Sequence, residues 1–306
     1  MKVSTTQVFD RAIAQMSSQQ GKVAEMQAKL ATGKQLIKPS DNPEQNGLIQ
    51  RLNSAVERQE SYEKNLGTLN NRLVAEEVSL RSAENILQRI RELAVQAANG
   101  SLTAADREIV AVEVKTLREE FVSLANTKDV SGNYVFSGSK VKTPPFSENE
   151  EGVLTYQGDS NVISLSVSEQ RQLAMNKPGN DVFTSVVRST DAGPQKVGFF
   201  AVIDDFSAAL EDNDVTNIHR GLAEVGHISE ALSLSLADVG SRMTVAESQG
   251  DLLADTKARY DALLSDTQDL DYSTAVTKLS AELLSLEAAQ SSFVKISQLS
   301  LFNYLR

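Results

Sequence analysis

The chain has 306 residues, 41% of them apolar, 5% aromatic and none tryptophan, and its formal net charge is -11. Such an acidic balance excludes a nucleic-acid backbone as partner, because nonspecific affinity there needs clustered lysine and arginine. The absence of cysteine rules out disulfides, thiol catalysis and thiolate metal sites while leaving the compartment open.

In chain order, the first element is a weak amphipathic helix. Phe9, Ile13, Met16, Gln20, Val23, Gln27 and Leu30 follow steps of four and three, with glutamine twice at inward positions. Burial this sparse hardly offsets a backbone ordering cost of roughly 1 to 2 kcal/mol per residue, so residues 1–35 are expected to be mobile in the free monomer. The stretch KPSDNPEQNG is a turn-rich joint in which Ser40 or Asp41 can cap the next helix. No run of about 18 apolar residues occurs, so no membrane insertion is expected, and with no unbroken apolar leader any export would use an uncleaved signal.

From Leu48 a heptad seam runs through Leu52, Ala55, Gln59, Tyr62, Leu66, Leu69, Leu73, Glu76, Leu80, Ala83, Leu87, Ile90, Ala94 and Ala97, interrupted only by Gln59 and Glu76. Spacing sustained this long predicts one helix of about 75 Å buried along a stripe. Asn99-Gly100 should stop it, since both residues accept the left-handed conformation that ends helices. Thr103 and Asp106 then announce a second helix, whose seam of Val110, Val114, Leu117, Phe121 and Leu124 folds back on the first.

Beyond about Gly132 the period changes. NYVFSGSKVKTPPF, VLTYQGDSNVISLSV and QRQLAMNKPGNDVFTSVV carry β-branched and aromatic residues between turn formers, which predicts short strands and hairpins. Helical pattern returns at Phe199–Leu210 and again from about Thr216 to Leu264, where Val239, Met243, Ala246, Gly250, Leu253, Lys257, Tyr260 and Leu264 form the seam. DTQDLDYS breaks this run, and a last helix starts near Tyr272.

The fold class expected is therefore mainly α with a β insertion: a coiled-coil-like helical rod built from the N- and C-terminal segments and carrying a small, mostly β domain. Its parts are residues 1–45 (first helix and joint), 46–130 (outgoing rod), 131–197 (β insertion, facing outward), 198–268 (return rod) and 269–306 (last helix). In the last helix Val276, Leu279, Leu283, Leu286, Ala289, Phe293, Ile296 and Leu299 recur in steps that average fewer than 3.5 residues, so the stripe winds, and Leu301, Phe302 and Leu305 cover further faces. A helix apolar on several sides is buried on several sides. One thin partner cannot supply that, so the expected neighbours are other copies or other proteins. The expected assembly interface is Phe9, Ile13, Met16, Val23 and Leu30 with Leu279, Leu283, Leu286, Phe293, Ile296, Leu299, Leu301, Phe302 and Leu305.

Enzyme-like fragments are sparse. Ser292-Phe-Val-Lys295 matches S-x-x-K and Ser40-Asp41-Asn42 spells S-D-N, but K-T-G is missing and the order is reversed relative to penicillin-binding enzymes. His219 and His227 are eight apart, a poor spacing for sharing a metal. The acidic run at Asp204, Asp205, Glu211, Asp212 and Asp214 lacks the glycine and glutamate of a calcium loop, so neither catalysis, cofactor nor metal is expected.

Several stretches resemble the hook-associated protein 3 family, the hook–filament junction proteins of the flagellin superfamily. They are MKVSTTQVFDRAIAQM and LATGKQLIKPSDNPEQNGLI at the start, GNYVFSGSKVKTPPF, YQGDS and NKPGNDVF in the middle, and LDYSTAVTKLSAELLSLEAAQSSFVKISQLSLFNYLR at the end. Where that family's joint has two aspartates before proline, this chain has Asp41 and Asn42. The resemblance implies a secreted structural subunit of the bacterial flagellum, exported unfolded through the type III apparatus without a cleaved signal. It also implies a cytosolic export chaperone on the C-terminal helix, and a layer of copies with hook-associated protein 1 on one side and flagellin on the other. A flagellin subunit of the filament itself is the alternative.

Overall fold

The computed structural model describes residues 5–149, 153–190 and 193–304, leaving out the side chains of Thr5, Thr6, Val8 and residues 296–304. Its elements are, in order, α1 (Thr5–Thr32), α2 (Pro43–Ala97), α3 (Ala104–Ala125), β1 (Phe146–Glu148), β2 (Leu154–Tyr156), β3 (Ser164–Ser166), β4 (Gln172–Ala174), α4 (Gly179–Val182), β5 (Val186–Thr190), β6 (Gly193–Val197), α5 (Phe199–Glu211), α6 (Val215–Gln268) and α7 (Tyr272–Tyr304). They fall into two compact units, the first made of the residues up to Arg58 with those from Asp255 on, the second of Gln59–Ala254. The fold is mainly helical with a small β part, as the pattern required.

In the second unit the heptad seam of α2 is buried from Leu66 to Ala97. A second buried column, Arg72, Ser79, Ile86 and Leu93, repeats every seven residues beside it, so α2 is covered on two faces. Ser79 donates to the Leu124 carbonyl at the end of α3 (2.8 Å), and Arg72 donates to the Tyr134 and Val135 carbonyls and pairs with Asp129. On the other side Glu84 accepts from Ser233 of α6 and Glu76 from Arg242 (2.6 Å). At the first heptad position the expectation fails: Leu48 is 40% exposed and its neighbour Ile49 is buried instead.

α2 stops at Ala97 ahead of Asn99-Gly100, and α3 begins with the expected capping box, in which the Thr103 hydroxyl accepts from the Asp106 N–H and the Asp106 carboxylate accepts from the Thr103 N–H. Buried Arg107 locks this turn by donating to the Ala97 and Asn99 carbonyls and to the Asn213 side chain. Three members of the acidic run form ion pairs, Asp204 with Arg118, Asp205 with Arg188 and Glu211 with Lys115, and Asp214 accepts from the Asn217 N–H.

The β part is three separate antiparallel pairs, β1–β2, β3–β4 and β5–β6. NYVF is not a strand. It forms a buried loop whose Phe136 joins Phe121, Phe146, Phe183, Phe199 and Phe200 in one cluster, with ring centroids 5.0–5.9 Å apart. Hairpins this short do not stand alone in water: β3–β4 is tied to α2 by Asn65, which donates to the Ser166 carbonyl, β5–β6 to α5 and α6 by Arg188, which pairs with Asp205 and Glu224, and β1–β2 adds Phe146 to the aromatic cluster. Three turn-rich stretches interlock there. Asp159 accepts from the Ser139 amide (2.7 Å) and hydroxyl (2.5 Å), the Tyr156 hydroxyl donates to the Phe136 carbonyl (2.9 Å), and Gly179 packs so close to Tyr156 that a Cβ would stand 2.8 Å from the ring.

Two expectations follow. Glu76 is fully buried, and burial pushes its carboxyl above the usual range despite the opposing pull of Arg242 and Arg72. Removing one partner of a buried pair strands the other charge, whereas replacing both with apolar residues does not. Glu76→Leu should therefore lower the unfolding free energy by about 3 kcal/mol, and Glu76→Leu with Arg242→Met should recover most of it, as read by urea denaturation. The hydrogen bonds from Ser139 hold the Asp159 carboxyl down at about 2. A depressed folded value means that this clasp contributes fully above the ordinary aspartate range and is lost as pH falls through about 2; the Ser139 amide shift in an NMR titration should report that step, and Asp159→Asn should abolish it.

Candidate assembly interface

In the first unit α1 and α7 run antiparallel. Phe9 meets Phe293 edge to face at 5.5 Å, the Gln19 amide donates to Glu282, and Lys34 bridges to Asp269. Each step forward along α1 is thus a step back along α7. Between the helices and the joint, the Gln35 N–H donates to the Gln268 carbonyl (2.8 Å) and the Leu270 N–H to the Gly33 carbonyl (2.9 Å). Gly33 ends α1 at φ +69, a conformation that suits glycine, and the Tyr272 hydroxyl lies 2.8 Å from where a Cβ would stand.

The inward face of α1 differs by one position from the expected seam. Ala12, Met16, Gln19, Val23, Met26 and Leu30 are buried or half-buried, while Gln20 and Gln27 face water. Of the expected site residues, Val23 is buried; Phe9, Met16, Leu30, Leu279, Leu286 and Phe293 are half-buried; Ile13 and Leu283 are exposed, at 52% and 40%. The side chains of Ile296, Leu299, Leu301 and Phe302, and the whole of Leu305, lie outside the described residues.

A helical residue advances about 100° around the axis. On α7 this puts Ala275, Leu279, Leu286 and Phe293 along one line, shielded by α1. A second line, Tyr272, Val276, Leu283 and Val294, lies about 70° round the helix, and its members are 40–55% exposed. Leu284, 69% exposed, widens it. Tyr272, Leu284 and Val294 were missed from the sequence because only one stripe was traced; projecting both would have found them. On the pair's flank a groove of about 420 Å³ is floored by small residues, among them Ala12, Ser285, Ala288 and Ser292. The unit containing both helices has 13 basic and 12 acidic residues, whereas the second unit has 17 and 29. Copies can bring the first unit together without mutual repulsion.

The enzyme-like fragments are not brought together. Ser292 sits by Ala12, and some 22 helical residues separate it from the joint that holds Ser40, about 33 Å at 1.5 Å per residue. His219 and His227 share the wall of a groove near Arg91 and Glu230, and among the described residues no group of three or more metal-ligating side chains occurs. No described helix is long and apolar enough to cross a membrane.

Antiparallel terminal helices, joined to a helical unit that carries short hairpins, define a flagellin-like fold. The chain matches the bacterial flagellin N-terminal helical region over residues 3–141 and is homologous from end to end to flagellar hook-associated protein 3. It is 26% identical over 316 residues to flagellar hook-associated protein 3 of Escherichia coli (strain K12), with 99% of each chain covered. The crystal structure of the flagellar junction protein FlgL from Legionella pneumophila shares the fold with a TM-score of 0.61 at 20% identity, over 72% of this chain and 99% of that one. Flagellin B of Vibrio anguillarum is 29% identical over only 38% of this chain and 31% of its own length.

The joint gives a direct test. Gly33→Ala must strain a positive φ and displace the Tyr272 hydroxyl, which should cost about 1–2 kcal/mol. Hydrogen exchange should then quicken at the Gln35 and Leu270 amides, while amides of the second unit keep their rates.

Proposed function

We propose that this chain is a structural adapter at the hook–filament junction of the bacterial flagellum, working by coupled folding and assembly of its terminal helices. The observation that carries this reading is the second apolar line on α7, Tyr272, Val276, Leu283 and Val294, left in water beside the line that α1 shields. Burying it against further helices would supply the favourable term that the isolated pair lacks. End-to-end likeness to flagellar hook-associated protein 3 supports the junction rather than the filament, since the flagellin match spans only part of the chain.

On this reading copies form a layer, with hook-associated protein 1 on one side and flagellin on the other. The chain is exported unfolded without a cleaved signal, and a cytosolic chaperone covers α7 until then. Residues 1–45 and 269–306 form the assembly core, and the β insertion of residues 131–197 faces outward. The terminal helices bury their exposed apolar line only on assembly.

Whole-chain variants test it. Val276→Asp and Val294→Asp change exposed positions, so each should alter the stability of the isolated chain by no more than about 0.5 kcal/mol. Together they should abolish filament attachment when they replace the native chain in cells; filaments held as firmly as before would overturn the reading. Purified chain that grows long filaments by itself would instead favour a flagellin.

A further inference from the structure

Asparagine followed by glycine is prone to lose its side-chain ammonia, because glycine puts no Cβ beside the backbone nitrogen that attacks the amide. The chain has two such pairs, Asn46-Gly47 and Asn99-Gly100. The fold treats them differently. Asn46 lies in the first turn of α2, where its N–H donates to the Asn42 carbonyl (2.9 Å). A helical backbone keeps the following amide nitrogen turned away from the side-chain carbon and engaged in the hydrogen-bond ladder.

Asn99 instead stands in the turn between α2 and α3, exposed together with Gly100. The Leu102 N–H closes this turn by donating to the Asn99 carbonyl (3.3 Å). The Asn99 side chain folds forward over the Gly100 peptide, and its Oδ1 accepts from both the Ser101 N–H (3.2 Å) and the Ser101 hydroxyl (3.1 Å). The ring that the first of these bonds closes runs through Cγ and the Gly100 peptide, so Cγ is kept beside the Gly100 nitrogen. Among the described residues neither the Gly100 N–H nor the Asn99 Nδ2 has a hydrogen-bond partner, and no other atom lies within 4 Å of where a Gly100 Cβ would stand.

We propose that Asn99 is a site of spontaneous deamidation, promoted by Ser101. The Gly100 nitrogen attacks the Asn99 Cγ, and the new C–N bond closes a cyclic imide. Nδ2 leaves as ammonia, taking up the proton that the Gly100 nitrogen gives up. Negative charge gathers on Oδ1 during the attack, where the two Ser101 donors already point. Water then opens the imide. Breaking its bond to Cγ leaves an aspartate at position 99 on an unaltered backbone. Breaking its bond to the main-chain carbonyl carbon leaves an isoaspartate, whose backbone runs through the side chain and is longer by a methylene. The net change consumes a water, releases an ammonia and transfers no electrons.

The position matters to the fold. Buried Arg107 donates to the Asn99 carbonyl (3.2 Å), to the Ala97 carbonyl (3.0 Å) and to the Asn213 side chain. An isoaspartate displaces the Asn99 carbonyl and leaves part of a buried guanidinium short of its acceptor. Either product also adds a carboxylate at the C-terminal end of α2, where the helix dipole is already negative.

The full chain, incubated at mildly alkaline pH both natively and in urea, tests this by peptide mass mapping with isoaspartate detection. In the native chain Asn99 should convert faster than Asn46 by roughly tenfold or more, since α2 must open before Asn46 can react; in urea the two rates should converge. Ser101→Ala keeps the N–H and removes the hydroxyl, and should slow Asn99 in the native chain roughly two- to tenfold while leaving its rate in urea nearly unchanged. Hydrogen exchange at the Leu102 amide should quicken as conversion proceeds. A native chain in which Asn99 converts no faster than Asn46 would overturn the site, and native Ser101→Ala chains that convert as fast as the parent would overturn the role given to Ser101. None of these readouts requires a flagellum, so they stand apart from the adapter reading.

Discussion

The antiparallel pairing of α1 with α7 is the constraint from which the assembly chemistry follows. Two single helices can shield each other along one line only. Here that line is used up by small and medium side chains and by a single edge-to-face ring contact between Phe9 and Phe293. Tyr272, Val276, Leu283, Leu284 and Val294 of α7 stay in water until something larger arrives. The polar Gln19–Glu282 hydrogen bond within the pair adds alignment more than stability. Such a pair is ordered enough to present its second face and too thin to bury it.

The second unit solves the opposite problem, holding a fixed shape with few aromatic residues. It does so by concentration. Six of the ten phenylalanines meet in one cluster that takes in Phe146 of β1, while the other two hairpins, too short to persist alone, are tied to the helices through Asn65 and through Arg188. The helices beneath are set in register by charge as much as by packing. Glu76 in the middle of an apolar seam has its cationic partner Arg242 at one height on α6, so sliding by a heptad would strand the buried carboxylate.

Helix positions were legible from the sequence because period and punctuation agreed: the seam from Leu66 to Ala97, the Thr103–Asp106 box and the break at DTQDLDYS all lie where the pattern put them. The failures have physical causes. In α1, steps of three and four beginning at Phe9 fit two neighbouring stripes equally well, and contact with α7 selected the one through Ala12 and Gln19 over that through Gln20 and Gln27. Leu48 obeys the heptad rhythm yet lies at a helix start, where the cover continues over Ile49 instead. NYVF has strand-like composition, but Phe136 is taken by the aromatic cluster and Val135 by the helices, which leaves its backbone no ladder partner beyond an isolated bridge from Tyr134 to Lys128. The second line on α7 was written in the sequence but overlapped the first.

The uneven distribution of charge has a consequence for solution behaviour. One part of the molecule is close to electroneutral, while the other holds an excess of 12 carboxylates. Counter-ions therefore act on the two parts differently. At 0.1 M ionic strength the repulsive reach of the acidic part shrinks to about 10 Å, whereas attraction between greasy helical surfaces is not screened at all. The ionic medium alone can thus set how readily these molecules crowd together, with no change in the surfaces that join them.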